Sequence, residues 1–267
     1  RLERRTATGG RMSRRFWILV YNLVLIPLQY VGFHLAALFS SKVRRGIHGR
    51  KEIWKKLHRF NEARQKSQPV YVVHCASLGE YEMAMPIIER IREQCPDIDI
   101  VLTFFSPSGY EQVVDTDPAD LTMYLPFDSI RSVDRFYRTL QPRKLILTSY
   151  EIWPNLIWRS HKHGVEVYVT SARLRKGSAK TWFFIRNFYA AIFGDIEHIY
   201  PITDEDKQLI RRYLSKDGTA ELEVLGNTRY DRVLERTSAW KETHLLPEQY
   251  QHQPTLIAGS IWHHDNR

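Results

Sequence analysis

The sequence predicts an α/β protein with a Rossmann-like, doubly wound parallel sheet that is preceded by an N-terminal membrane-anchor helix. Two observations carry this prediction. Residues 16–39 form an apolar run of 24 residues without Asp, Glu, Lys or Arg. After residue 66, short runs rich in β-branched and aromatic residues alternate with amphipathic stretches, which is the pattern of repeated β-α-β units.

The apolar run is long enough to span a bilayer. As a helix, 24 residues reach about 36 Å, beyond the roughly 30 Å of a hydrocarbon core. Basic residues flank both ends, so charge leaves the orientation open. Asn22, Gln29 and His34 make the run less apolar and Pro27 favours a kink, which keeps a tilted or interfacial helix as an alternative. A cleaved signal peptide is the weaker alternative, because no small-x-small cleavage site precedes Ser40.

Composition and charge exclude several classes of protein. The chain has 267 residues, 43% of them hydrophobic, which suits one large or two modest domains and excludes intrinsic disorder. The net charge is +9; residues 1–66 hold 16 Lys and Arg against 3 Asp and Glu, which leaves −4 for residues 67–267. Because this basic excess flanks the apolar run, it predicts contact with anionic phospholipids and counts against nucleic acid as a partner.

These patterns divide the chain into consecutive segments. They are a basic leader (1–15), a membrane-anchor helix (16–41), a basic linker helix (42–66), a Rossmann-like domain (67–253) and the start of a further domain (254–267).

Neither the cysteines nor the histidines predict a metal site. Cys75 and Cys95 form no Cys-x-x-Cys pair, and Cys75 lies in a Val-rich run typical of a buried small hydrophobe. His161, His163 and the pair at 263–264 lack a third ligand at suitable spacing, so we interpret them as structural or solvent-facing. A reducing compartment fits this usage.

The β-α-β pattern predicts eight strands and a series of helices. The strands are expected at 70–75, 98–104, 123–125, 144–148, 165–170, 198–200, 222–225 and 255–258. Helices are expected to begin near Tyr81, Pro107, Ser129, Pro154, Ser178 and Asp204.

The loops after these strands are where chemistry is expected, because doubly wound sheets bind ligands at the carboxyl ends of their strands. Each loop also allows a structural interpretation. Ser77 and Glu80 have the spacing of a helix capping box. Ser106 and Asp128 are typical N-cap residues, and Trp153 suits a hydrophobic staple before a helix.

Two features point beyond helix capping. The first loop contains a glycine, opens a helix directly after a strand and presents the Glu80 carboxylate in the predicted crevice, as a general base requires. Arg173 and Arg229 place cations on the same rim, where they suit a leaving phosphate or an acidic sugar. The chain lacks a Gly-x-Gly-x-x-Gly motif after the first strand and a Walker motif, which counts against dinucleotide oxidoreductases and NTPases.

Seven segments, in this order, resemble the Kdo (3-deoxy-D-manno-octulosonic acid) transferases, membrane-anchored glycosyltransferases of the GT-B architecture. They are residues 42–50 after the apolar run, Ala-Ser-Leu-Gly-Glu at 76–80, the loop 103–109, Tyr-Leu-Pro-Phe-Asp at 124–128, Glu-Ile-Trp-Pro-Asn at 151–155, Ala-Arg-Leu at 172–174 and Gly-Asn-Thr-Arg-Tyr-Asp at 226–231. The resemblance implies an inverting transfer from CMP-Kdo to a lipid A precursor (lipid IVA) in lipopolysaccharide core biosynthesis, at the cytoplasmic face of the bacterial inner membrane. It implies no metal and no cofactor besides the donor substrate.

The resemblance also implies roles for individual residues. Glu80 matches the proton acceptor, and Arg229 stands where the familiar motif has a transition-state-stabilising lysine. Ser149 stands where the family often has a glutamate, so Glu151 is the remaining candidate for that stabilising role; Ser171 stands where asparagine is common. Substrate contacts are expected from Ser77, Gly79, Ser106, Ser108, Gly109, Asp128, Trp153, Arg173 and Asn227.

The resemblance ends at residues 258–262, which look like the first strand of the second, donor-binding GT-B domain. Residues 67–253 are accordingly expected to form the acceptor-binding domain, and the 267-residue chain is expected to be inactive by itself. Two alternatives stay open: a non-catalytic, membrane-bound glycolipid-binding module, which the serine at 149 favours, and a GT-B transferase that uses another sugar nucleotide.

Overall fold

The computed structural model describes residues 14–149, 152–174, 183–214, 220–239 and 254. Their centre is a sheet of seven strands, all parallel, in the order β3-β2-β1-β4-β5-β6-β7. The strands are β1 Val70–Cys75, β2 Asp99–Phe104, β3 Leu121–Tyr124, β4 Lys144–Thr148, β5 Glu166–Ala172, β6 His198–Pro201 and β7 Glu221–Leu222. The predicted doubly wound parallel sheet is confirmed. The chain adds strands on one side of β1 as far as β3 and on the other side from β4 onward, and such sheets bind ligands at this switch point between β1 and β4.

Helices connect the strands of the sheet and extend the chain beyond them. They are α3 Ser41–Gly49, α4 Ile53–Ala63, α5 Leu78–Gln94, α6 Pro107–Val113, α7 Ile130–Leu140, α8 Pro154–Ser160, α9 Phe183–Phe193, α10 Asp204–Arg211 and α11 Arg229–Ala239. One core cluster joins the sheet to α4, α7, α8, α9 and α10, and a second joins it to α5 and α6. Strands buried on both faces explain the nearly continuous apolar runs in the sequence.

A continuous helical segment precedes the domain. It consists of α1 Arg14–Val20, a π-helical turn Tyr21–Leu25, and α2 Ile26–Phe39. Pro27 lies in the first turn of α2, directly after the π turn, so the wider turn accommodates the residue that cannot donate a backbone hydrogen bond. The segment is the one helix among the described residues that is long and apolar enough to cross a membrane.

This helical segment, hereafter the apolar helix, is fastened to the domain. Trp17 and Tyr21 belong to the larger core cluster. The side chains of Asn22 and Asn155 exchange two hydrogen bonds of 2.9 Å each. Arg14 pairs with Asp195 near the start of the helix. The first half of the apolar helix is therefore a component of the fold.

The second half of the apolar helix contacts the domain through aromatic rings. Tyr30 packs on Phe127 at 6.0 Å between ring centroids, and Phe33 packs on Phe127 at 5.8 Å and on Phe105 at 5.5 Å. The opposite stripe is exposed and apolar: Leu19, Leu23, Val24, Leu28, Val31, Leu35, Leu38 and Phe39. One side of the helix thus faces the domain along its length and the other faces the surroundings.

The structure corrects several expected boundaries. Helix α5 begins at Leu78, three residues before the predicted start, and β7 comprises only Glu221–Leu222. Asp128 is not the N-cap of α7; Ser129 is, and its side chain accepts a hydrogen bond from the Ser132 amide. The predicted helix start near residue 178 and the strand 255–258 lie outside the described residues. The chain divides into two compact units, Arg1–Arg232 and Val233–Arg267.

Candidate active site

Glu80 lies in the first turn of α5, immediately beyond the carboxyl end of β1. Ser77 is the N-cap residue of this helix, but its side chain makes no bond to a helix amide. Its hydroxyl donates a hydrogen bond to the Glu80 carboxylate. The capping-box hydrogen bonds suggested by the spacing are thus replaced by a direct serine–glutamate contact in the first turn of α5.

Arg229 reaches the same helical turn from the far end of the chain. Its Nη2 donates a hydrogen bond of 3.0 Å to the backbone oxygen of Gly79, the residue before Glu80. A Cβ atom at Gly79 would lie 3.1 Å from that nitrogen, so glycine allows this close approach. The candidate base, Glu80, and the candidate stabilising cation, Arg229, are therefore brought to the same turn of α5.

Thr228 connects three elements at this point, a role that the sequence did not reveal. Its Oγ1 donates a hydrogen bond of 2.6 Å to the backbone oxygen of Met83 in α5 and lies 3.2 Å from the Ser171 Oγ. The Asn227 Oδ1 accepts a 3.1 Å hydrogen bond from the Arg229 amide, which fixes the start of α11. Asn227 and Thr228 thus position Arg229, and the only sequence signal for Thr228 was its place inside the 226–231 segment.

Two serines at the strand ends have left-handed backbone conformations. Ser149 follows β4 with φ 66°, and Ser171 lies near the end of β5 with φ 50°. Both are buried. Non-glycine residues with positive φ are uncommon and cluster at functional sites. Asparagine adopts this conformation more readily than serine, which gives a physical reason why asparagine suits position 171.

The segment that contains Ser106, Ser108 and Gly109 lies directly against the first loop. The Ser106 amide donates a 2.9 Å hydrogen bond to the backbone oxygen of Ala76, and the Ser106 and Ser108 hydroxyls are 2.9 Å apart. A Cβ at Gly109 would lie 3.1 Å from the Leu78 backbone nitrogen and still closer to the Phe104 ring. These three predicted site residues therefore form the neighbouring wall of the crevice.

Trp153 lies between the crevice and an aromatic layer. It occupies the N-cap position of α8, and its ring packs on Phe105 at 4.6 Å and edge-on against His74 at 5.9 Å. Burial lowers the pKa of His74 to about 3, so its imidazole is neutral. His74 receives support from Thr103, whose Oγ1 lies 3.0 Å from the His74 Nδ1.

Asp128 is buried, and its hydrogen bonds connect elements of the fold. Its carboxylate accepts hydrogen bonds from the Tyr21 hydroxyl at 2.8 Å, the Asn155 amide at 3.0 Å and the Leu156 amide at 2.9 Å. Burial raises the pKa of Asp128 to about 7, against the opposing effect of the hydrogen bonds from Asn155, Tyr21 and Leu156. With its oxygens occupied by these donors and only 2% of its surface exposed, Asp128 joins α8 to the apolar helix.

Arg173 lies elsewhere on the carboxyl edge of the sheet. Together with Asn227 it lines a polar pocket of about 410 Å³, to which Thr203, Asp206 and Tyr230 also contribute. Glu151 lies outside the described residues. No group of three or more His, Cys, Asp or Glu within the described part of the chain is placed to hold a metal ion.

The fold and the site together define a class of protein. The doubly wound parallel sheet is a Rossmann-like domain of the GT-B architecture, and Arg229 bonds to the first turn of α5 at its carboxyl edge. Among solved structures, the chain is similar to MnaA of Staphylococcus aureus in complex with UDP, with a TM-score of 0.50 and 10% identity over 66% of this chain and 50% of that one. This likeness supports the fold alone.

A particular family follows from sequence comparison. The profile described as 3-Deoxy-D-manno-octulosonic-acid transferase (kdotransferase) matches residues 51–232, and the chain belongs to this family. It is 30% identical over 190 residues to the 3-deoxy-D-manno-octulosonic acid transferase of Haemophilus influenzae and 24% identical over 200 residues to that of Chlamydophila psittaci. These matches cover 70% and 72% of this chain. The chain spans 44% and 45% of the two relatives.

Proposed function

We propose that this chain is the acceptor-binding part of an inverting glycosyltransferase that moves Kdo from CMP-Kdo to a hydroxyl group of a lipid A precursor. The observation that carries this proposal is the hydrogen bond between Arg229 and the backbone oxygen of Gly79, which brings a cation to the helical turn that carries Glu80. Family membership supplies the sugar and the class of acceptor.

In this proposal Glu80 is the proton acceptor. It removes the proton from the acceptor hydroxyl as the hydroxyl oxygen attacks the anomeric carbon of Kdo. The new C–O bond forms while the bond from that carbon to the CMP phosphate breaks, and CMP leaves with the electron pair. The Arg229 guanidinium stabilises the negative charge that develops on the leaving phosphate.

The apolar helix supports a site of action at the cytoplasmic face of the inner membrane. Its contacts with the domain run from Arg14 to Phe33, so the helix cannot leave the domain to cross a bilayer without breaking them. We therefore assign it to the near leaflet, with its exposed apolar stripe in lipid. Basic residues around the helix, including Lys42 and Arg44, favour anionic phospholipids there.

The test is transfer of Kdo by the protein expressed from its whole reading frame, with CMP-Kdo and lipid IVA as substrates. Glu80→Gln should lower kcat by about 10²- to 10⁴-fold while acceptor binding is retained. Glu93→Gln, an exposed change on the same helix, is the matched control and should leave the rate unchanged.

A non-catalytic glycolipid-binding module is the second candidate, favoured by the serine at position 149. It predicts acceptor binding without turnover, and a low rate that Glu80→Gln does not change. Transfer that depends on Glu80 excludes it.

A further inference from the structure

An open apolar pocket lies where the apolar helix meets the sheet. Its volume is about 140 Å³. The apolar part of its lining comes from α2 (Phe33), from α3 (Val43 and Ile47), from the first residue of α6 (Pro107) and from the loops after β2 and β3 (Phe105 and Phe127). The pocket therefore exists only because the apolar helix folds back onto the carboxyl edge of the sheet.

The helix that lines the pocket is apolar on both sides. Phe33 lines the pocket from the side of α2 that faces the domain, while Leu35, Leu38 and Phe39 on the same helix are exposed, Phe39 to 90%. The part of α2 that we assign to lipid is thus also a wall of the pocket, and apolar surface on both sides of it favours contact with hydrocarbon.

The pocket adjoins the loop that carries Glu80. Ser106 lines the pocket, and its amide donates a hydrogen bond to the backbone oxygen of Ala76, four residues before Glu80. A lipid held in the pocket is therefore close to the loop that carries the candidate base.

Two cationic side chains, Lys42 and Arg50, lie on the lining of the pocket. The Arg50 guanidinium, in a side chain 8% exposed, donates to the backbone oxygens of Gly46, Leu125 and Phe105. Among the described residues no carboxylate forms an ion pair with Arg50, so its charge is not neutralised by the protein. Lys42 is exposed, so it is the cation on this lining that a phosphate group of a bound lipid can contact.

We propose that this pocket holds a segment of one acyl chain of the phosphorylated glycolipid acceptor. The inference rests on the proposed function for the identity of the acceptor. The pocket selects an acylated acceptor over its deacylated form, and it sets the depth at which the acceptor hydroxyl meets Glu80.

Photolabelling tests the occupant directly. The probes are the acceptor with a diazirine in one acyl chain and phosphatidylethanolamine with the same group, each in vesicles of phosphatidylethanolamine and phosphatidylglycerol. The acceptor probe should label the pocket, and Val43→Trp, which fills it, should lower labelling about tenfold, or ~1.4 kcal/mol. His48→Trp, an exposed position on the same helix, is the control and should leave labelling unchanged.

Either of two results would overturn the proposal: equal labelling by the phospholipid probe, or labelling that Val43→Trp does not reduce. Ile47→Trp fills the same pocket from the next turn and replaces Val43→Trp where the latter lowers the melting temperature.

Kinetics separate failure of this inference from failure of the proposed function. In the whole protein, Val43→Trp should raise the KM for the acylated acceptor about tenfold, and should leave kcat/KM for the deacylated, phosphorylated disaccharide unchanged. An unchanged KM for the acylated acceptor contradicts the pocket while transfer itself stands. Absence of transfer to either acceptor by the unaltered protein contradicts the proposed function. The labelling experiment then still shows whether the acceptor's acyl chain occupies the pocket.

Discussion

The guanidinium of Arg229 is bonded to the backbone oxygen of Gly79, across 150 residues of sequence. The contact joins the start of α11 to the first turn of α5. Because a carbonyl oxygen does not neutralise a cation, the Arg229 charge remains available to an anionic group in the crevice. A side chain at Gly79 would enter this space, so the residue is required for the approach of the cation rather than for its backbone angles.

Replacement of Gly79 is expected to lower the rate of transfer without lowering the stability of the fold. Gly79→Ala places a Cβ 3.1 Å from the Arg229 Nη2, so the guanidinium must move by a few tenths of an ångström. We expect kcat/KM for Kdo transfer to fall about tenfold, because small displacements of catalytic groups are costly. The melting temperature should stay equal or rise, since alanine favours the helix over glycine. A fall in stability with unchanged kcat/KM would contradict this assignment.

Substitutions of Arg229 distinguish charge from geometry. Arg229→Lys keeps the cation and should retain Kdo transfer within about threefold, because a single charge suffices to stabilise the leaving phosphate. Arg229→Met removes the charge and should lower kcat about 10²- to 10³-fold. Steady-state kinetics of the whole protein measure both. An equal loss of kcat in the two variants would show that catalysis depends on the planar geometry of the guanidinium and not on its charge alone.

Asn22 tests whether the apolar helix is part of the domain. Asn22→Leu makes the helix more apolar but leaves the buried Oδ1 of Asn155 without its donor, while Nδ2 keeps its bond to the Asp128 backbone oxygen; the free energy of unfolding should fall by about 1–3 kcal/mol. Chemical denaturation in detergent measures this change. Leu23→Ala, at the exposed neighbouring position, is the control and should change stability little. A helix that crossed the bilayer on its own would give no loss with Asn22→Leu.

Asp128 predicts a pH dependence of stability. Its pKa is about 7 in the folded protein against an ordinary value of 3.8, so between these values the folded state holds a proton that the unfolded state has released. The contribution of Asp128 to stability is complete below about pH 4 and is lost as the pH rises through about 7. Unfolding free energies at several pH values should therefore fall more steeply for the unaltered protein than for Asp128→Asn. Parallel pH profiles would show that folding does not raise the pKa of Asp128.

The sequence predicted the sheet well and the helix starts less well. The bounds of β1 and β4 were predicted to the residue, because buried parallel strands are short apolar runs with polar ends. Helix α5 starts earlier than predicted, since Leu78 and Gly79 lie before the apolar periodicity begins. Helix α11 was missed because its first turn coincides with the 226–231 segment, which was interpreted as a loop.

The sequence by itself determined the doubly wound sheet and the apolar helix, because local periodicity encodes both. Its short ordered motifs were also enough to select Glu80 and Arg229 as candidate site residues. Only the tertiary structure decided that Arg229 bonds to Gly79, that Thr228 joins α11 to α5, and that the apolar helix packs against the domain. These contacts join residues that lie far apart in the sequence. They arise because folding brings the carboxyl ends of parallel strands to one edge, and no local pattern records which side chains will meet there.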